Sequence, residues 1–483
     1  MTSILAKSLI IALLLINKIQ TIKEDKINKE CMYDKDCDPP FLICHNTDKV
    51  CRHKKLFPME LSEFIGFVII AFFASLAAAA GIGGGIIVIS IALLMFGVSV
   101  KEAVALSNII TFLNATIKYS LALGKKDSVK KVKTLINYSF VLLFNPVFVF
   151  SNVIGSMINK MIPGGVVLIM LILILFCSIM MNLRNAIKKY KKESKEARLQ
   201  KKEKTVEKEQ VERVSINSSS DSKKMIDFLK EIDLPMPLIT EEQLNDKELQ
   251  KVFKYQNTDF DPIKWTFLLS TVIVVVLFAF LRGNSQFDSI AGIEFCGRDY
   301  WILLALLCVL ILIIGIFSTI HVNKEISIKK KYNHLMEHEM DYSLGKIILF
   351  NIGLFVVGVF CNIMGLGGSI IIFPLFTGLG MQPLIISFTS LFMAMLSKIA
   401  AVLLNMLSGL VIYDLALLLT IIMTICSSIM IIFVNKLLKR YKRQSIIIII
   451  MVCVQTVALI LAPIYAILQG SKSEDFWEFK SFC

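Results

Sequence analysis

The sequence predicts an all-α, polytopic transmembrane helical bundle of two inverted repeats with glycine-interrupted helices, and three observations point there. Of 483 residues, 55% are hydrophobic and only 19% charged, against about 45–50% apolar and about 25% charged in soluble domains. Mean hydropathy is +0.70. The apolar residues gather in runs recurring from Leu61 to Leu468, the longer of which can cross a hydrocarbon core roughly 30 Å thick at about 1.5 Å per residue. A glycine cluster occurs twice, as G-I-G-G-G at 81–85 and G-L-G-G-S at 365–369. Together these exclude a soluble enzyme, a nucleic-acid-binding protein and a disordered chain.

Net charge is +14. The Lys and Arg residues lie between the apolar runs, above all in 184–264, where they orient a chain in the bilayer and meet anionic lipid. The basic balance therefore names the lipid bilayer as partner and gives no sign of nucleic acid.

Residues 1–21 hold one Lys before a short apolar run, 9–16. That run is too short to span and fits the core of a secretory signal peptide. An exoplasmic segment, 22–60, follows with Cys31, Cys37, Cys44 and Cys51. Behind a signal peptide these suggest two disulfides, with three pairings open; a zinc set is the alternative, although the C-x2–4-C pairs that zinc favours are missing.

Spans are predicted at 61–80, 82–97, 103–123, 135–157 and 163–183, the first repeat being 61–183. A cytoplasmic charged linker, 184–264, comes next; its Lys/Glu alternation over 188–212 predicts a charged helix and its serine run at 215–222 a flexible stretch. Two connecting helices, 265–281 and 300–320, fill 265–320, and a cytoplasmic loop covers 321–344. The second repeat, 345–468, has spans at 345–363, 367–380, 383–408, 411–433 and 446–468, before an exoplasmic tail, 469–483. Counted from outside at Cys51, the Lys-rich loops at 125–133, 184–264, 324–331 and 436–443 all fall on the cytoplasmic side, while Cys296 and Cys483 fall outside. The short segments 82–97 and 367–380 are alternatively re-entrant.

In the repeat, Gly81, Gly83 and Gly84 match Gly365, Gly367 and Gly368, and Ser107 matches Ser390. The first copy enters from outside and the second from the cytoplasm, the inverted arrangement of many secondary transporters. Glycine clusters break a helix, and a break inside a membrane must lie within protein or line a wet cavity. Free N–H groups at the half-helix start can then hold an anion. The candidate substrate-binding residues are Gly81, Gly83, Gly84, Gly85, Ser107, Thr111, Asn114, Gly365, Gly367, Gly368, Ser390, Ser397 and Lys398. Ser107, Thr111 and Asn114 share one helical face, as do Ser390 and Ser397. Lys398 is the one clear charge near the middle of a span, a costly position that places it toward the bundle interior or a cavity. Lys118 lies near the cytoplasmic end of its span, within snorkelling reach. The plain alternative for these residues is helix–helix packing through small and hydroxyl side chains. No Asp or Glu falls at mid-depth of these spans, so no carboxylate proton carrier is visible.

These residues resemble the sulfite exporter TauE/SafE family, in its eukaryotic, plant-like branch. The resemblance rests on G-I-G-G-G at 81–85, on G-L-G-G-S-I-I-I-F-P-L at 365–375, on I-N-Y-S-F-V-L-L-F-N-P-V at 136–147 and on R-Q-S-I-I-I-I-I at 443–450. It covers about 61–184 and 340–468. Two departures stand out: Ser90 where the first repeat usually has Pro, kept as Pro374 in the second, and Ser369 for the last Gly of the second motif. The resemblance implies secondary transport of small anions such as sulfite, sulfonates or related organosulfur anions. Against it stands a non-transporting scaffold or receptor that binds a cytoplasmic protein through 184–264. An enzyme is not expected: Tyr413-Asp414 has no G-x-G-D partner, and H-E-x-x-H and G-x-x-x-x-G-K-[ST] are both absent. No cofactor or metal is implied. The chain is expected to be a multi-pass protein of the secretory pathway, in plasma membrane or endomembrane.

Overall fold

The computed structural model describes residues 30–37, 42–44, 49, 51–54, 56–123, 135–215, 261–283, 288–331, 344–366, 368–378, 381–441, 443–470, 477–479 and 481. The expected signal peptide, the serine run at 216–222 and Gly367 lie outside these residues. Before the first long helix sits a small knot. Cys31 pairs with Cys44 and Cys37 with Cys51, around an antiparallel ladder of β1 (Leu42–Cys44) and β2 (Cys51–His53). The Asp36 carboxylate accepts the Met32 and Tyr33 amides at 3.0 Å, satisfying backbone that a ladder this short leaves over.

Twelve helices follow among the described residues: α1 (Leu61–Ala80), α2 (Gly85–Met95), α3 (Val100–Ala122), α4 (Tyr138–Met161), α5 (Gly164–Ser215), α6 (Pro262–Arg282), α7 (Arg298–Lys331), α8 (Leu344–Ile363), α9 (Ser369–Gly378), α10 (Pro383–Leu407), α11 (Tyr413–Tyr441) and α12 (Ser445–Gly470). Nine are long and apolar enough to cross a membrane, and α2 and α9 are shorter apolar helices. The remaining one, α3, has the length but carries Lys101, Glu102 and Lys118. On α7, Ile302, Leu306, Val309, Leu312, Ile313 and Ile316 are all exposed; an apolar stripe at that spacing suits hydrocarbon, not water. The chain is a multi-pass integral membrane protein. The charged helix of the linker is the direct continuation of the span in α5, reaching Ser215.

The two glycine clusters each break a helix and fold it back. At the end of α1, Gly81 takes φ +105° and its N–H reaches Ala77 O at 3.0 Å, as does that of Ile82. This closes the helix with a left-handed residue that only glycine adopts freely. The N-cap of α2 is Gly84, at φ +85°. A Cβ on Gly66, near the start of α1, would meet Met95 Cβ and the Phe96 ring at 3.0 Å. The outer ends of α1 and α2 are therefore neighbours, and the segment expected at 82–97 is a short re-entrant arm of 11 residues. The α8–α9 unit has the same break around Gly365, at φ +68°, with α9 packed on α10 and α5 and less closely on α8.

The units enter from opposite ends of the bundle. Ser99 and Glu102 cap the start of α3, with Ser99 N donating to Glu102 Oε2 at 2.8 Å. His53 of the knot lies 3.1 Å from the same carboxylate, so α3 starts at the knot end. Ile412, Asp414 and Leu415, just after α10, line a crevice with His53 and Lys54, so α10 finishes there. Its start lies at the far end, where Gln382 meets Gln444 at 3.5 Å and Glu193 of α5 accepts the Ser445 hydroxyl at 2.6 Å. Packing follows the same pairing: α1 against α11 and α8 against α4, α2 against α12 and α9 against α5, α3 against α10. Exchanging the halves turns each of these contacts into another of the set.

Candidate functional site

The hinges meet where α3 crosses α10, and the meeting is reciprocal. Ser107 Oγ of α3 donates to Gly365 O at 3.2 Å, and Ser390 Oγ of α10 donates to Gly81 O at 3.3 Å. A Cβ on Gly365 would strike Val104 at 2.6 Å; one on Gly81 would strike Ser387 at 2.8 Å. Glycine is needed there for both conformation and space. Ser369 Oγ donates to Ile82 O at 3.2 Å, so the departure from the second glycine motif supplies a cross-hinge hydrogen bond. Ser90 donates to Ile86 O at 3.1 Å within its own helix.

The predicted face of α3 forms as expected from its spacing. Gly85 packs on Ser107 and Thr111, Gly83 on Thr111, and Asn114 Nδ2 donates to Gly83 O at 2.8 Å. Asn114 Oδ1 in turn accepts from Ser427 Oγ of α11 at 2.7 Å. Thr111 Oγ1 is buried with no hydrogen-bond partner. Gly84 abuts Ala74 and Gly368 abuts Phe148. These residues form a closely packed crossing of the hinges and do not line the large cavity.

Ser397 and Lys398 do line it. The cavity holds about 620 Å³ and runs from Lys101, Arg282 and Ser408 at the knot end to Asn108, Asn362 and Lys398 deep in the bundle. Lys398 is 2% exposed. Its Nζ donates to Asn362 Oδ1 at 3.1 Å and to Leu366 O, just past α8, at 3.3 Å. Asn362 Nδ2 bonds Asn152 Oδ1 and Gly358 O, and Asn152 Nδ2 donates to Ser397 O at 3.3 Å. Thus α4 and α8 hold the lysine between amides. Among the described residues no carboxylate lies within 4.0 Å of Lys398. An ammonium has three donors, and two are spent on Asn362 of α8 and on Leu366, three residues beyond its end.

Besides Asn362, four polar cavity residues outside the predicted site stand out. Asn108 Oδ1 and Asn405 Nδ2 are buried on its wall with no protein partner. Asn152 positions Asn362. Arg282, at the end of α6, is 9% exposed, stacks 4.8 Å from the Tyr300 ring and leaves its Nε unpartnered. Asn108 and Asn405 are visible in sequence as amides in the helices after each hinge; Arg282 looks like an ordinary positive residue flanking a span.

Lys118 corrects an expectation. It does not snorkel to the interface but is 2% exposed, with Nζ on Ala78 O at 3.3 Å, Ala79 O at 2.9 Å and Ser387 Oγ. Side chains on a helix lean toward its N-terminus, which here carries the ammonium inward to the hinge. There it meets the last carbonyls of α1, a favourable place for a cation.

The sulfite exporter TauE/SafE family profile matches residues 253–459. Sulfite exporter TauE/SafE family protein 1 of Arabidopsis thaliana is 24% identical over 395 residues, covering 81% of this chain and 80% of the relative. Family protein 5 of the same plant is 26% identical over 391 residues, covering 79% and 78%. Family protein 2 is 22% identical over 400 residues, covering 82% and 81%. No solved structure matches the chain.

Proposed function

Because the chain belongs to the sulfite exporter TauE/SafE family, in its plant-like branch, we propose that it is a secondary transporter of small organosulfur or sulfur oxyanions, with sulfite and short sulfonates as the first candidates. The observation that carries the reading is Lys398, a buried ammonium with no carboxylate within 4.0 Å among the described residues, at the inner end of a cavity whose wall, among those residues, also holds Lys101 and Arg282 against one acid, Asp288. A low-dielectric cleft with that balance attracts anions. Lys398 supplies charge at the end of the path; Asn405 Nδ2, buried on the wall without a protein partner, supplies a neutral donor that replaces part of the anion's hydration shell, and Asn362 holds the lysine in place.

The exchange-symmetric packing of the two hinge units supports an inverted repeat, and hence alternating access by rocking one half against the other around the crossing. By the charge rule the knot end is exoplasmic and α5 extends into the cytoplasm, so the cavity here is open outward. The closely packed crossing of Ser107, Ser390 and the hinge glycines is then the seal that must shift when the cavity changes face.

The test is uptake of labelled sulfite and labelled methanesulfonate into vesicles holding the purified full chain, beside an organic cation of similar size. Saturable uptake of the anions and exclusion of the cation is the expected result. Failure to move any anion under any imposed ion gradient would overturn the reading.

A further inference from the structure

Resting on that transport reading, we propose that Lys118 is a second anion-binding station, closed in this structure, which takes over from Lys398 when the bundle opens to the opposite face. The argument is a comparison of how the two ammoniums spend their donors. Lys398, on α10, gives two of three to its own half: Asn362 Oδ1 of α8 and Leu366 O of the hinge. Lys118, on α3, likewise gives two to its own half: Ala78 O and Ala79 O in the last turn of α1. Each lysine thus sits at the inner end of the broken helix that precedes it. The third donor differs. That of Lys398 is left for the cavity; that of Lys118 goes to Ser387 Oγ, a side chain of the other half.

Ser387 is the residue that the exchange of halves makes informative. It packs on Gly81 as Val104 packs on Gly365, so the two are mates across the crossing. Val104 has no polar atom to offer, and Lys398, on the wall of the same cavity, spends two donors on the protein. On the Lys118 side the hydroxyl of Ser387 and the ring of Phe388, 4.7 Å from Nζ, stand where an anion would come. No carboxylate lies within 4.0 Å of Lys118 among the described residues. A buried charge capped only by neutral groups is costly unless a partner arrives at some stage of the cycle. Opening the far face requires α10 to move off α1 and α3. That motion withdraws Ser387, leaves the two α1 carbonyls in place and presents one free N–H to the new cavity. The ligand is the same small anion that meets Lys398.

A purely structural lysine, pinning α1 to α10, would make a different prediction, and transport measured separately from each face distinguishes them. The full chain, reconstituted in vesicles and sorted by orientation, is assayed with labelled methanesulfonate, whose charge is constant across neutral pH. Lys118→Gln is expected to raise KM at the face of the charged linker roughly tenfold, the usual loss for a hydrogen bond to a charged group, with KM at the knot face within about twofold. Lys398→Gln is expected to give the mirror result, and Lys118→Arg to retain the affinity. Ser387→Ala, a small change that keeps the lysine, is expected to lower KM at the linker face. Equal effects of Lys118→Gln at both faces, or an effect on maximal rate alone, would overturn the proposal while leaving the transport reading intact. So would an unchanged KM in Ser387→Ala. Absence of any saturable wild-type flux would overturn both.

Discussion

The two hinges are built from the same parts yet stand in different states. Around Gly365 the broken helix, its lysine and its neighbouring amides face a cavity of about 620 Å³. Around Gly81 a second lysine, Lys118, about one turn out of register with Lys398, is covered by Ser387 and Phe388. The Ser107–Gly365 and Ser390–Gly81 bonds, 3.2 and 3.3 Å, are nearly equal across the crossing, so the inequality does not begin there. It lies at the lysines, about three turns further along α3 and about two turns further along α10. The glycines make the crossing possible, while the residues beyond them set which lysine meets the cavity.

The strongest way to break the comparison is to fill a hinge. Gly365→Leu forces a β-carbon into Val104 at a left-handed φ of +68°. Overpacking and strain of about 2–5 kcal/mol should abolish flux and sharply lower the melting temperature in detergent. Gly353→Ala on α8 meets nothing within 4 Å and serves as the control, changing stability by less than about 1 kcal/mol. Next in size is the cavity charge. Arg282→Gln, which leaves the hinge packing untouched, should weaken anion affinity by roughly threefold to tenfold and flatten its dependence on ionic strength, measured as KM across a salt series.

Two smaller perturbations sharpen the symmetry. Ser107→Ala and Ser390→Ala each remove one reciprocal bond, and each should cost about 0.6 kcal/mol of thermal stability; a large disparity between them would argue against equivalent hinges. At the knot, Glu102→Gln weakens the contact with His53 and removes one carboxylate of the α3 cap. Most of its effect should fall on the stability of the knot end, about 1 kcal/mol, and little on flux.

Much of this architecture is legible in the sequence because lipid imposes simple rules. Apolar length located the spans, paired glycine clusters located the breaks, and the 3.6-residue period placed Ser107, Thr111 and Asn114 on one face. What escaped detection depends on direction and depth. Lys118 looked free to snorkel because its position in the span was read without the lean of helical side chains toward the N-terminus. The segment 82–97 has the apolar length of a span, yet Ser99 and Glu102 stop it early by capping α3. Arg282 and Asn152 are ordinary residue types at ordinary span positions; only the packing of α4 and α6 around one cavity brings them to the same wall as Lys398. The glycines and Ser107, expected to touch substrate, lie in a closely packed crossing of the hinges, because a cluster that permits a break also permits close packing.

The most direct test of the central claim is labelled sulfite uptake by the full chain in vesicles, compared with Lys398→Gln at matched protein content and matched melting temperature. The account predicts saturable uptake in the wild type and a loss of roughly tenfold or more in affinity from the outward face in the variant. A variant that folds normally and takes up sulfite with unchanged affinity would contradict it.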